Sequence, residues 1–262
     1  MPPALRVEPD ARWSIISAWL RATGQIRSLS ATSHLMKEKE PMFEFRAPGI
    51  VRFGAGVSSE VGAQAATLGL QQVLLVCDPG IKGLGLADKA LEALKAAGVA
   101  ATIFDRVDPE PLDTNVSAGL AAFQAAGCDG LVALGGGSSI DVAKAVGAMA
   151  RNAGVIADYA VGGKPLSQRK APMIAIPTTA GTGSEVTRFT IITDAQRGVK
   201  LLIAHPYLIP EVALVDPSLT LSMPPRLTMA TGIDALTHAL EAYISVKAVS
   251  YTHLTLPTIY SV

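Results

Sequence analysis

Asp234 and His238 stand four residues apart in the run Thr231-Gly232-Ile233-Asp234-Ala235-Leu236-Thr237-His238. On a helix, positions i and i+4 share one face. A carboxylate and an imidazole side by side there can hold a divalent metal. Taken alone, the pair also reads as two polar residues on an exposed helix face. Far upstream, Gly135-Gly136-Gly137-Ser138-Ser139 follows an apolar run. Glycines let a backbone approach a phosphate with no Cβ in the way, and a helix N-terminus offers free N–H groups to it. Ser138 or Ser139 is expected to cap that helix and donate to a phosphate oxygen. The turn matches neither the G-x-G-x-x-G nor the G-x-x-x-x-G-K-[ST] fingerprint. An ordinary strand-to-helix turn is the plainer reading, but three consecutive glycines exceed what a turn needs. A phosphate turn and a metal pair on one chain suggest metal-assisted hydride chemistry.

Other residues could serve the same ligand. Asp78 ends an apolar run, where an acid can accept hydrogen bonds from ribose hydroxyls and repel a 2′-phosphate. Asp78-Pro79-Gly80 is equally a good turn by itself. Pro177-Thr178-Thr179-Ala180-Gly181-Thr182-Gly183-Ser184-Glu185 follows a further apolar run. It offers hydroxyls and flexible backbone at a sheet's carboxyl edge. Ser184 is not in G-x-S-x-G context, which argues against a hydrolase nucleophile. Position 242 is alanine, so His238 does not open an H-x-x-E-H zinc-protease motif. His34 and His205 read as loop residues.

These groups need elements to position them. Apolar runs at 73–77, 99–104, 130–134, 173–176 and 212–215 read as buried strands. Segments 86–97, 113–126 and 138–150 read as helices, the second opened by an Asp113 cap. Strands that are apolar throughout, alternating with helices, imply a parallel sheet covered on both faces. After Pro224-Pro225 the pattern is helical only, from 227 to about 247. Hydrophobic residues make up 49% of the chain, enough for a sizeable core, and the charges balance at 22 against 22. That balance argues against a nucleic-acid partner. No apolar stretch reaches the roughly 18 residues of a membrane span. Cys77 and Cys128 read as buried thiols of a reducing compartment, so the expected location is cytoplasmic. Residues 1–35 are arginine- and serine-rich and read as an upstream extension in preference to a transit peptide, because prolines and acids break the pattern such a signal needs. Residues 249–262 continue neither the helix nor the composition and read as an anomalous tail.

Gly135 to Lys144, Pro177 to Glu185, and Asp216 through Pro224 to Asp234, His238 and Glu241 together resemble the iron-containing alcohol dehydrogenases, from about Phe43 to Lys247. Phe53-Gly54-Ala55-Gly56 fits the same resemblance. It implies an α/β dinucleotide-binding domain over 36–224, the start of an all-helical metal-binding domain over 225–248, and a dehydroquinate synthase-like architecture. By the same resemblance, Asp78 would read the adenosine ribose and favour NAD. Gly136, Gly137, Ser138 and Ser139 would hold the pyrophosphate. Thr178, Thr179 and Thr187 would line the cleft, and Lys200 would contact the cofactor. Asp234 and His238 would be the first two ligands of Fe²⁺, with Zn²⁺ the alternative. The family completes its site with two downstream histidines, and His253 matches neither. The expected activity is NAD-dependent interconversion of a small alcohol and its aldehyde, with a homodimer admitted and no nucleic-acid or membrane partner. A second reading is a truncated, catalytically silent NAD-binding fragment. A distant third is a dehydroquinate-synthase-like or glycerol-dehydrogenase-like enzyme.

Overall fold

A computed structural model describes residues 48–244. The expectations for residues 1–35 and 249–262 lie outside the described residues. Six strands form one parallel sheet: β1 (Ile50–Phe53), β2 (Gln72–Val76), β3 (Ala100–Phe104), β4 (Gly130–Gly135), β5 (Met173–Pro177) and β8 (Val212–Val215). Their spatial order is β1-β8-β5-β4-β2-β3. The central strands are buried on both faces, which is why they read as continuous apolar runs.

Alternate residues of each strand serve opposite layers. Leu74 and Val76 pack with helices α4 (Asp113–Ala125) and α5 (Gly137–Met149). Val73 and Leu75 pack with α1 (Val61–Thr67), the short α2 (Pro79–Gly83) and α3 (Leu86–Ala96). The last helix among the described residues, α6 (Pro225–Ile244), begins two residues before the expected 227. Its Met229, Leu236 and Leu240 are exposed.

Two local expectations are corrected. The N-cap of α4 is Leu112, not Asp113; the Asn115 side chain accepts from Leu112 N at 2.9 Å and closes that turn. Neither serine caps α5: Gly136 is its N-cap, with no side-chain hydrogen bond. An antiparallel hairpin of β6 (Phe189–Asp194) and β7 (Val199–Ala204) was not anticipated from the sequence; it lies against α5.

Both cysteines are free and buried, as expected. Burial, with Asp78 and Asp105 nearby, pushes the Cys77 thiol up to about 12. Burial raises Cys128 as well. Neither thiol should therefore react with a thiolate-seeking reagent at neutral pH until the chain unfolds. Titrating thiols with and without denaturant checks this; prompt labelling of native Cys77 would contradict it.

Candidate functional site

Chain order reverses beside β2. The chain runs from β2 outward to β3, then returns to place β4 on the other side of β2. In an open parallel sheet the crevice at such a reversal, beyond the strands' carboxyl ends, is where ligands bind. Asp78 lies at the end of β2, and Gly135-Gly136-Gly137 at the end of β4.

Asp78 has two roles in this position. Its Oδ1 accepts from Gly80 N at 2.8 Å and from Ile81 N at 3.1 Å, capping α2. Its Oδ2 faces the glycine turn, 3.3 Å from the point where a Cβ on Gly135 would lie. The two readings of Asp78 made from the sequence are thus compatible: one oxygen builds the turn and the other faces the crevice.

The glycine turn is closely covered. Gly135 has φ of +150°, and a Cβ there would stand 2.5 Å from Ser139 Oγ. A Cβ on Gly136 would stand 3.3 Å from Thr179 Cγ2, and one on Gly137 would stand 2.9 Å from Thr182 Cγ2. The threonine loop therefore closes over the turn, joined to it by a bond from Thr178 N to Gly135 O of 3.0 Å. Thr182 carries that closure although the sequence reading did not single it out. Ser138 Oγ donates to Pro109 O at 2.6 Å. Ser139 Oγ is buried without a hydrogen-bond partner among the described residues. A buried hydroxyl left unpaired is costly. Here it sits in the first turn of a helix whose N-cap offers no side-chain acceptor. An orphaned donor and a Cβ-free turn at a helix N-terminus fit a phosphate-bearing group.

Thr187 and Lys200 are placed differently. Thr187 faces inward: its carbonyl oxygen accepts from Lys144 Nζ at 2.9 Å, and its hydroxyl lies 3.4 Å from the same nitrogen. Lys200, on β7, pairs with Glu110 at 3.3 Å. Glu110 adjoins Pro109, the partner of Ser138, so Lys200 is linked to the turn through one short segment.

Beneath the loop lie three ionisable groups that the sequence reading missed: Asp141, Lys144 and Glu185, all buried. Burial lowers Lys144 to about 8, against the pull of Asp141 and Glu185. Burial likewise raises Asp141 and Glu185, with Lys144 opposing. The available signal was an Asp and a Lys three residues apart in a helix otherwise apolar on every side.

Asp234 and His238 share a face of α6, with His238 Nε2 3.8 Å from Asp234 Oδ1 and both side chains part-exposed. Among the described residues no group of three or more His, Cys, Asp or Glu is placed to hold a metal ion. The pair is an oxygen and an imidazole donor, a set suited to iron or zinc, and it can supply two ligands. The threonine loop reaches the same helix: a Cβ on Gly181 would stand 2.5 Å from Thr231 O, one turn before Asp234.

The family model for iron-containing alcohol dehydrogenase matches residues 48–217. Choline dehydrogenase of Bacillus subtilis (strain 168) is 45% identical over 201 residues, covering 76% of this chain and 50% of that protein. NAD-dependent methanol dehydrogenase of Bacillus methanolicus is 41% identical over 211 residues, covering 80% and 55%. A crystal structure of 1,3-propanediol oxidoreductase superposes with a TM-score of 0.79 at 42% identity, covering 82% of this chain and 56% of that one. The chain spans about half the length of the curated relatives it matches. It belongs to the iron-containing alcohol dehydrogenase family.

Proposed function

We propose that the chain is the nucleotide-binding part of an NAD-dependent alcohol dehydrogenase that acts on a small alcohol or aldehyde. The observation that carries this reading is the crevice at the chain reversal, where Asp78 Oδ2, the glycine turn and the orphaned Ser139 hydroxyl converge. In this reading Gly136, Gly137, Ser138 and Ser139 cradle the pyrophosphate, and Asp78 accepts from the adenosine ribose. Thr178, Thr179 and Thr187 belong to the wall of the cleft, and Lys200 reaches the cofactor from the hairpin. Residues 36–224 form the dinucleotide domain and 225–248 open a helical one. The exposed apolar residues of α6 support that division, since a helix with such a surface ordinarily packs against others.

Asp234 and His238 would hold the metal from α6. When bound, Fe²⁺ or Zn²⁺ supplies Lewis-acid polarisation of the substrate oxygen, and NAD supplies the hydride acceptor or donor. The protein's own residues orient and enclose. The loop from Thr178 to Thr182 covers the glycine turn and abuts α6 at Thr231. No side chain among the described residues is assigned as general base. A soluble homodimer is part of the same proposal, and so is a cytoplasmic location.

Titration with NADH followed by fluorescence tests the reading. The wild-type chain should saturate, and Asp78→Ala should weaken binding about tenfold, since it removes a charge-assisted hydrogen-bond acceptor. In a full-length version that carries the two further histidines, Asp234→Ala should leave NADH affinity unchanged while abolishing retention of iron or zinc measured after dialysis. A wild-type chain indifferent to NADH would refute the proposal. The silent NAD-binding fragment makes a different forecast: NADH saturates but the wild-type chain retains no metal.

A further inference from the structure

The buried groups beneath the threonine loop carry one more inference, which rests on the dinucleotide reading above. Asp141 and Lys144 sit one helical turn apart on α5, the helix whose first turn is the glycine turn. Lys144 has no exposed surface. Its ammonium donates to two backbone oxygens of the segment after the loop, Thr187 O at 2.9 Å and Phe189 O at 2.7 Å. Asp141 grips the same segment from both sides. Its Oδ1 accepts from Ser184 Oγ at 3.1 Å, and its Oδ2 accepts from Ile191 N at 2.9 Å. Its backbone oxygen accepts from Thr190 Oγ1 at 2.9 Å. Every one of these bonds joins α5 to residues 184–191, immediately beyond the threonines that close over Gly136 and Gly137.

A purely structural helix has no need of this. Burying a lysine and a carboxylate costs more than an apolar pair of the same volume would. What the charged pair adds is direction: several hydrogen bonds of fixed geometry hold one extended segment in one register on the helix. Beyond α5 the hairpin is tied at the far end of β6, where Thr193 bridges Leu112 and its N–H donates to Pro111 O at 2.7 Å, so the bonds from Asp141 and Lys144 are what fix residues 184–191 themselves on the helix. We propose that Asp141 and Lys144 are positioning residues. They lock residues 184–191 to α5, so that Thr179 and Thr182 are held over the glycine turn at the spacing a pyrophosphate requires. Neither touches the cofactor. They act through the loop, as supporting groups behind a binding shell do.

The test compares NADH with AMP as ligands of the wild-type chain, Lys144→Met and Ser184→Ala. The AMP ribose and phosphate meet Asp78 and the glycine turn, both carried by the sheet. Both ligands would offer the glycine turn a phosphate, but only the dinucleotide would carry a second phosphate onward past Thr179 and Thr182. Lys144→Met should weaken NADH roughly tenfold and leave AMP within about twofold, the size expected for losing two charge-assisted hydrogen bonds behind a site. Ser184→Ala removes a single buried bond to Asp141 and should weaken NADH by about threefold with the same indifference to AMP. If Lys144→Met fails to fold, Ser184→Ala decides alone. Unchanged NADH affinity in the folded variants would overturn the assignment, with the dinucleotide reading intact. So would equal losses for both ligands, which mark general damage. A wild-type chain that binds neither nucleotide removes the dinucleotide reading and this inference with it.

Discussion

Gly135→Ala should abolish measurable NADH binding while the sheet still folds. The backbone at Gly135 has φ of +150°, a region L-residues rarely adopt. A methyl group there would also lie 2.5 Å from Ser139 Oγ and 2.8 Å from Ser139 Cβ. Ser139 belongs to the first turn of α5, so relief of the clash requires the helix start itself to move. Strain of this kind costs on the order of 1–3 kcal/mol, and the shift disperses the N–H groups and the Ser139 hydroxyl on which phosphate binding depends. Affinity should fall by roughly a hundredfold or more. The steric part has its own control: Gly135→Ala combined with Ser139→Gly removes the clashing hydroxymethyl group but not the backbone strain, and should recover part of the stability, but not affinity. Circular dichroism melting and NADH titration of the single and double variants give both numbers. A Gly135→Ala chain that binds NADH like the wild type would show that the turn does not carry the phosphate.

Much of this arrangement is legible in the sequence, for physical reasons. The central strands are covered on both faces, so they appear as unbroken apolar runs, and the glycine turn announces a close backbone approach. Asp78 is legible because strand, acid, proline and glycine occur in that order. The hairpin is not, because its inward positions defeat the hydrophobic pattern. Of the buried residues on β6, Thr190 and Asp194 are polar and only Ile192 is apolar. Thr190 is satisfied by the Asp141 carbonyl, and Asp194 by the turn at Gln196 and Arg197. Those partners are known only once the chain is folded. Asp141 and Lys144 were overlooked for the same cause. A charged residue in a helix is ordinarily solvated, and nothing local says that α5 is enclosed on every side. The α5 cap misled for a different reason: serines follow the glycines, yet the helix begins one residue before Ser138, so both hydroxyls fall inside the first turn.

Beside the edge strand β1, Asp216 should dominate the acid limb of stability. It ends β8 and is almost wholly buried. Its Oδ2 accepts from Ser58 Oγ at 2.6 Å and from Ser58 N at 3.2 Å, and its Oδ1 from Ser218 Oγ at 2.5 Å and from Ser218 N at 3.1 Å. These bonds pin the turn after β1 to the end of β8, beside a small cavity lined by Phe53, Thr179, Glu185 and Asp216 itself. Burial alone would raise the carboxyl, but the hydroxyls of Ser218 and Ser58, with the Gly56 and Ser58 amides, outweigh it and hold it at about 2. The folded value thus lies below the unfolded one of about 3.9, so the folded state binds fewer protons in that window. The contribution is complete above the unfolded value and is lost as pH falls through the folded one, and it amounts to about 2 kcal/mol. Asp105 and Asp194 are also held low, by Lys82 and by Arg197, so the wild-type slope alone does not isolate Asp216. The comparison with Asp216→Asn does. The amide keeps one acceptor oxygen and cannot titrate. The variant should be less stable at pH 7 by about 2 kcal/mol, and the gap should close towards pH 2. Urea unfolding at a series of pH values measures that gap. Parallel curves for wild type and variant from pH 7 to pH 2 would mean that the serine hydroxyls, not the charge they face, hold this corner together.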